Sequence, residues 1–249
     1  QRPKREKIGK DPFKDQMSLN ESLLGIFDYC PTDLVAAGFS KKVLRSHEVG
    51  LDKEAMRITF PIRNHLGVLM GVAGRTVIGE KPRYLIYAEK ELLRFSPKYK
   101  GYSFNKKNFL WNFHNVYPDA FYGDLNKVYL VEGYKAALWL IQHGYTSTVA
   151  LMGTYLSEMQ RSLLQRLAAV IYVFLDNTDL ARKGAFDAAK RLRAGNNVRI
   201  CCYPHYCDGG EQPDDLTAEE LQETIQSAEV YNKGRTKNDG TRPFSNTPI

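Results

Sequence analysis

Val170-Ile171-Tyr172-Val173-Phe174-Leu175-Asp176 is a run of six apolar or aromatic residues closed by an acid. Six residues suit a strand and are too few for a helix, and the β-branched and aromatic content argues the same way. A strand without polar alternation is buried on both faces, as in a parallel sheet covered by helices on each side. Downstream, Leu180 to Arg193 predicts a helix and Val198 to Cys202 a further strand. Upstream, Val128-Tyr129-Leu130-Val131 leads into a helical stretch from Tyr134 to His143. Thr148-Val149-Ala150-Leu151 is the next strand, and its helix begins near Ser157-Glu158, with Met159, Leu163, Leu164 and Leu167 at helical spacing. From Asn126 on, strands alternate with helices, which predicts an α/β fold with a parallel sheet and flanking helices.

Sites in open parallel sheets form at the carboxyl ends of the strands. Glu132 ends the first of these strands, and Gly133 behind it allows a tight turn into the helix. Asp176 ends the third, and Glu211-Gln212-Pro213-Asp214-Asp215 lies in the loop after the fourth. Any one of these acids could simply cap the helix that follows. Several at one sheet edge favour a metal or phosphate site, because Mg²⁺ takes carboxylate oxygens supplemented by water and substrate phosphates. In phosphoryl transfer such ions neutralise charge on the triphosphate.

The first half of the chain follows a different grammar. Residues 18–48 read as short helical segments, with Ser40 as the N-cap before Lys41-Lys42-Val43-Leu44. Ala55 to Ile62 alternates partly, a turn follows around Asn64 to Gly67, and Val68 to Val72 resumes, a strand–turn–strand pattern repeated less clearly through Arg75 to Leu85. This is a mixed α+β lobe, and it is basic. Of the 249 residues, 35 are Lys or Arg and 28 are Asp or Glu, a formal net charge of +7. The excess concentrates in residues 1–10 and between Arg94 and Lys107, where Arg94, Lys98, Lys100, Lys106 and Lys107 stand without an acid. Phe95, Tyr99, Tyr102 and Phe104 lie between them, a mixture that suits single-stranded nucleic acid, since cations attract phosphates and aromatic faces stack on unpaired bases. A solvated lysine-rich loop whose aromatics anchor it to the core explains the pattern equally well.

No run approaches the roughly 20 apolar residues of a membrane helix, and residues 1–10 lack the apolar region of a secretory signal, so an intracellular protein is expected. Four cysteines, Cys30, Cys201, Cys202 and Cys207, form no C-x-x-C pair. Cys202, His205 and Cys207 could in principle hold zinc but lack an evident fourth ligand; reduced structural thiols are the better reading.

Val131-Glu132-Gly133-Tyr134, Leu151-Met152-Gly153-Thr154, and Phe174-Leu175-Asp176-Asn177 with Arg182-Lys183-Gly184-Ala185 resemble the TOPRIM domain of bacterial and phage DNA primases. That domain reads V-E-G-Y-x-D, S-L-G-T, F-D-x-D-x-A-G-x-x-A and D-P-D-D. Upstream, Phe60-Pro61-Ile62-Arg63, Gly71-Val72-Ala73-Gly74-Arg75, Lys81-Pro82-Arg83-Tyr84-Leu85 and Phe104-Asn105-Lys106 follow the order of motifs in the N-terminal lobe of these primases. The resemblance covers roughly residues 30–218. It departs at Ala136, Thr178 and Gln212, where the family has acids, and at Ile86, where it has Asn. Asp179 follows Thr178, but the register to Arg182-Lys183-Gly184 leaves no room for a shift, and one step along a helix turns a side chain by about 100°.

The resemblance implies a primase core that joins ribonucleoside triphosphates on a single-stranded DNA template. Glu132, Asp176 and Asp214 would hold Mg²⁺ or Mn²⁺, one ion rather than two unless a divergent acid such as Asp179 or Asp215 contributes, and with Lys106 would form the catalytic set. Arg75, Arg83, Tyr84 and Lys106, by motif, and Lys98, Lys100 and Lys107, by charge, would bind nucleotide and template. A replicative helicase is an implied partner, and no membrane is. The implied location is the cytoplasm, that of the host for a phage-encoded chain. The competing reading is a degenerate TOPRIM protein that binds single-stranded DNA or nucleotide, or docks replication partners, without making primers. The expected divisions are a flexible basic leader over 1–14, the basic α+β lobe over 15–124, the TOPRIM domain over 125–220, and a helix end with a disordered tail over 221–249.

Overall fold

A computed structural model describes residues 16–122, 125–207 and 209–231. The expected leader, and the expected disordered tail beyond Tyr231, lie outside the described residues. Backbone packing divides the chain between Asn108 and Phe109.

The first unit opens with three short helices, α1 (Ser22–Ile26), α2 (Thr32–Ala36) and α3 (Lys41–Ser46). Ser40 caps α3 as its sequence suggests, its hydroxyl accepting from the Lys42 N–H at 3.2 Å. An antiparallel meander follows in the order β1 (Gly50–Asp52), β2 (Arg57–Arg63), β3 (Leu69–Thr76), β4 (Tyr84–Ile86), then α4 (Glu89–Leu92). Pro97–Tyr99 and Lys106–Asn108 form single 3-10 turns. Every residue of β2 is buried, so the strand runs through the interior of the unit. Leu23, Phe27, Leu69, Val72, Tyr87 and Leu92 form the adjoining core.

The second unit contains α5 (Phe113–Val116), α6 (Asp119–Tyr122), β5 (Lys127–Val131), α7 (Tyr134–Gln142), β6 (Thr148–Ala150), α8 (Glu158–Gln165), β7 (Val170–Val173), α9 (Asp179–Leu192) and β8 (Val198–Ile200). A 3-10 turn at Pro213–Asp215, α10 (Ala218–Gln226) and β9 (Glu229–Val230) complete it. The sheet order is β6-β5-β7-β8-β9; the first four strands are parallel and β9 is antiparallel to β8. The strand–helix alternation read from the sequence is therefore present. Phe174 continues β7 beyond its last paired residue, donating its N–H to Leu130 O at 2.9 Å. The core packs Leu130, Val149, Leu164, Ile171 and Val173 against Ala188 and Leu192 of α9. Cutting a fully buried Leu164 back to Ala would cost on the order of 2–5 kcal/mol.

Two boundaries differ from the sequence reading. Residues 109–122, expected in the first lobe, pack with the second unit from Phe109 on. Trp111 and Ala150 exchange backbone hydrogen bonds at 2.9 and 3.1 Å, and Leu110, Phe113 and Val116 enter the core beneath the parallel sheet. Past residue 220, α10 ends at Gln226 and β9 then closes the edge beside β8, so regular structure continues to Val230. Among the described residues, no helix is long and apolar enough to cross a membrane.

Candidate functional site

The turn after β5 puts Glu132 at the carboxyl edge of the parallel sheet. Gly133 is the N-cap of α7, and the helix starts at Tyr134. Glu132 Oε1 accepts a 2.9 Å hydrogen bond from the Thr154 hydroxyl, which stands in the loop after β6. That loop is tied to α9 from the other side: a Cβ built on Gly184 would lie 2.5 Å from Thr154 O, so only glycine lets the helix approach this closely.

Asp176 lies beyond β7, in the segment leading to α9. Burial pushes its carboxyl up to about 7, helped by the negative charges of Glu132, Asp214 and Asp215; a 3.2 Å hydrogen bond from the Gln212 amide to Oδ2 works the other way. The expected acids Glu132, Asp176 and Asp214 are thus gathered at one edge, close enough to oppose one another's ionisation.

Asp214 sits in the 3-10 turn at Pro213–Asp215, its side chain only 2% exposed. Oδ2 lies 2.5 Å from Lys135 Nζ, and Oδ1 is buried with no hydrogen-bond partner. Tyr203, after β8, belongs to the same neighbourhood. Its ring meets Phe174 edge-on at 5.3 Å, and its buried hydroxyl has no partner. Burial and the charges of Asp176 and Asp214 hold its proton on well above the ordinary tyrosine range.

The three departures at expected acids each have a visible consequence. Ala136 is 2% exposed on the buried face of α7. Thr178 is the N-cap of α9, accepting from the Ala181 N–H at 3.1 Å. Gln212 supplies an amide donor to Asp176 where a carboxylate would repel it. Asp179 does not compensate: its side chain is 91% exposed and paired with Arg182 at 3.3 Å. Asp215 accepts from the Gln212 N–H at 2.7 Å and so braces the turn. Asn177, between Asp176 and Thr178, is clamped by Glu211 at 2.6 Å and by Arg182 at 2.8 Å, which fixes the backbone next to Asp176.

Among the described residues, no three acid, histidine or cysteine side chains converge as a ready cage for a metal ion, at the acids or around Cys202, His205 and Cys207. All four cysteines are free thiols. Asp214 gives one oxygen to a lysine. Glu132 and Asp176 each have one oxygen held by a neutral donor, and their mutual repulsion is what a cation relieves. Glu132 and Asp176, each with one oxygen outside those hydrogen bonds, are the residues that would hold a divalent ion.

In the first unit, Arg75 stands on β3 opposite Tyr84 of β4, with Arg83 just before it. The Arg75 Nε is buried without a partner, Arg83 is exposed, and Tyr84 is 38% exposed. Gly71 and Arg75 share a face of β3 in the two-residue alternation, and a Cβ on Gly71 would strike the Phe104 ring at 2.9 Å. The Phe104 ring, two residues before the turn at Lys106–Asn108, therefore packs over β3 at Gly71. Lys98, Lys100, Lys106 and Lys107 are all exposed.

The aromatics between these lysines are anchors. Tyr99 and Tyr102 are 3% and 4% exposed, Tyr102 donates to Met70 O at 2.6 Å, and Phe95 and Phe104 pack on the core. Two arginines are structural as well. Arg94 is bound to the buried Asp52 at 2.7 Å. Arg63, in the F-P-I-R stretch, is buried between Glu21 and Glu48 at 2.8 and 2.7 Å and donates to Gly67 O at 2.6 Å. Sequence reasoning missed Lys135, Thr154 and Tyr203. Lys135 offered a signal, as a cation one residue before an expected acid, and Thr154 did as the last residue of the S-L-G-T-like stretch; Tyr203 offered none.

Comparison with known proteins agrees with this fold. Residues 129–216 match a family model described as Toprim-like. The chain is 27% identical over 217 residues to a DNA primase of Clostridium acetobutylicum, covering 87% of this chain and 32% of that protein. It is 33% identical over 128 residues to the DNA primase of Deinococcus radiodurans, covering 51% and 20%. The chain thus spans about a fifth to a third of the length of these two relatives. Among solved structures, a DNA primase domain from Pseudomonas aeruginosa superposes with a TM-score of 0.65 at 22% identity, covering 84% of this chain and 78% of that one. A DnaG primase catalytic domain bound to single-stranded DNA gives 0.65 at 21% identity, covering 84% and 77%.

Proposed function

We propose that this chain, a bacterial-type primase core with a TOPRIM domain, builds short RNA primers on a single-stranded DNA template. The observation that carries the reading is the acidic edge itself: Glu132 and Asp176 each keep an oxygen open, and burial together with the neighbouring carboxylates pushes Asp176 to about 7. In the reaction a primer 3′-hydroxyl attacks the α-phosphate of a ribonucleoside triphosphate, forming a phosphodiester and releasing pyrophosphate. Glu132 and Asp176 would hold one Mg²⁺ or Mn²⁺, which when bound offsets the charge of the triphosphate. Thr154 keeps Glu132 in its rotamer, and the Asn177–Glu211 clamp keeps Asp176 in its turn. Arg75, Arg83 and Lys106 would bind triphosphate and template, with Tyr84 beside them offering an exposed ring to a base. Lys98, Lys100 and Lys107 add sequence-independent attraction for the template backbone. A replicative helicase is the partner this reading implies.

Incubating the protein with single-stranded DNA, ribonucleoside triphosphates and Mg²⁺ or Mn²⁺ tests it. Template-directed RNA that disappears with Glu132→Gln supports the proposal. Absence of product with both metals, from protein that still binds DNA, identifies a binding protein instead.

A further inference from the structure

We propose that Lys135 replaces a divalent cation at Asp214, so that this TOPRIM site takes one ion, through Glu132 and Asp176, where an intact acid set would serve two. The proposal rests on the reading above only in requiring that the site bind a divalent ion.

Lys135 is the second residue of α7. The free N–H groups of a helix's first turn favour anions, so a lysine there stands against the local field unless an acid compensates it. Asp214 compensates it at 2.5 Å, with the two side chains only 16% and 2% exposed. A pair this buried is held because neither charge can be left alone; losing one partner strands the other away from water.

The neighbouring position points the same way. Ala136, 2% exposed, has no carboxylate where the family pattern has one. Losing that negative charge and setting a positive one against Asp214 shifts the local charge by two units, the charge of one divalent ion. Thr178, which caps α9, likewise brings no negative charge to the edge. One oxygen each of Glu132, Asp176 and Asp214 stands outside these hydrogen bonds, and the Asp214 carboxylate already has an ammonium group on its other oxygen.

Mn²⁺ alone, titrated into the full chain with calorimetry and with electron paramagnetic resonance of the free ion, counts the sites directly. The wild type should bind one ion and Lys135→Met two. The double variant Lys135→Met/Asp214→Asn removes both charges of the pair and should keep one ion, with affinity within about threefold of wild type. Two ions on the wild type overturn the proposal without any variant. One ion on Lys135→Met overturns it, as does loss of the ion from the double variant while its circular dichroism still shows a cooperative melt. No ion on any of the proteins sinks the proposal and the proposed function together. One ion with no primer synthesis sinks only the proposed function.

Discussion

The Gln212 amide donates to Asp176 Oδ2 at 3.2 Å across a separation of 36 residues in sequence. A neutral donor therefore steadies the one acid that burial and its neighbours most oppose. Gln212→Asp should reverse this contribution. The added carboxylate would repel Asp176 in the metal-free protein and attract a cation, tightening Mn²⁺ binding on the order of tenfold, or about 1.4 kcal/mol. Calorimetry on the two proteins reads the change; unchanged affinity would mean that residue 212 does not face the ion.

Gly184→Ala should damage the same site from behind. The new methyl would press on Thr154 O, a backbone atom that cannot swing away. Overpacking of this kind costs roughly 1–3 kcal/mol, and the displaced Thr154 would release Glu132. A lower melting temperature together with weaker Mn²⁺ binding is expected. A stability loss with intact Mn²⁺ affinity would separate Thr154 from ion binding.

Arg63 and Arg75 should behave oppositely although both lie in motif-like stretches. Arg63→Ala leaves Glu21 and Glu48 without their shared partner and should cost roughly 2 kcal/mol of stability. Arg75→Ala should leave the melting temperature almost unchanged but weaken single-stranded DNA binding. Taking one cation away from the phosphate backbone lowers the log–log salt slope by about 0.7. Equal slopes for wild type and Arg75→Ala would remove Arg75 from the DNA-binding surface.

Asp52 gives the first unit an acid limit. Burial tends to raise its carboxyl, but hydrogen bonds from Ala55 N–H, Tyr87 and Arg94 outweigh burial and hold it below the ordinary aspartate range. A carboxyl lowered by folding contributes stability that is complete above its unfolded pKa, about 3.9, and is lost as pH falls through the lower folded value. Urea unfolding midpoints between pH 6 and pH 2.5 should drop less steeply for Asp52→Asn, from a lower starting stability. Parallel pH profiles would place the acid sensitivity elsewhere.

What was legible in the sequence was local. Val170 to Leu175 announced its strand because six apolar residues need two covered faces, and Glu132 and Asp176 stood out as acids closing such runs. The strands β1, β4 and β9 have three, three and two residues, too few to show a period. The mixture of Tyr99, Tyr102 and lysines was ambiguous in principle, since base stacking and core anchoring ask for the same residues. Lys135 meets Asp214 across 79 positions and Gln212 meets Asp176 across 36, so those contacts exist only once the sheet has formed.

The hydrogen-bonded pairing of Trp111 with Ala150 bears on how such a domain can be inherited. The Toprim-like match starts at residue 129, yet Leu110, Phe113 and Val116 already fill space under its strands. A recombination event that cut at the edge of the Toprim-like match would leave a greasy hollow behind. The portable module begins some twenty residues earlier than its signature, in a segment that carries no motif of its own.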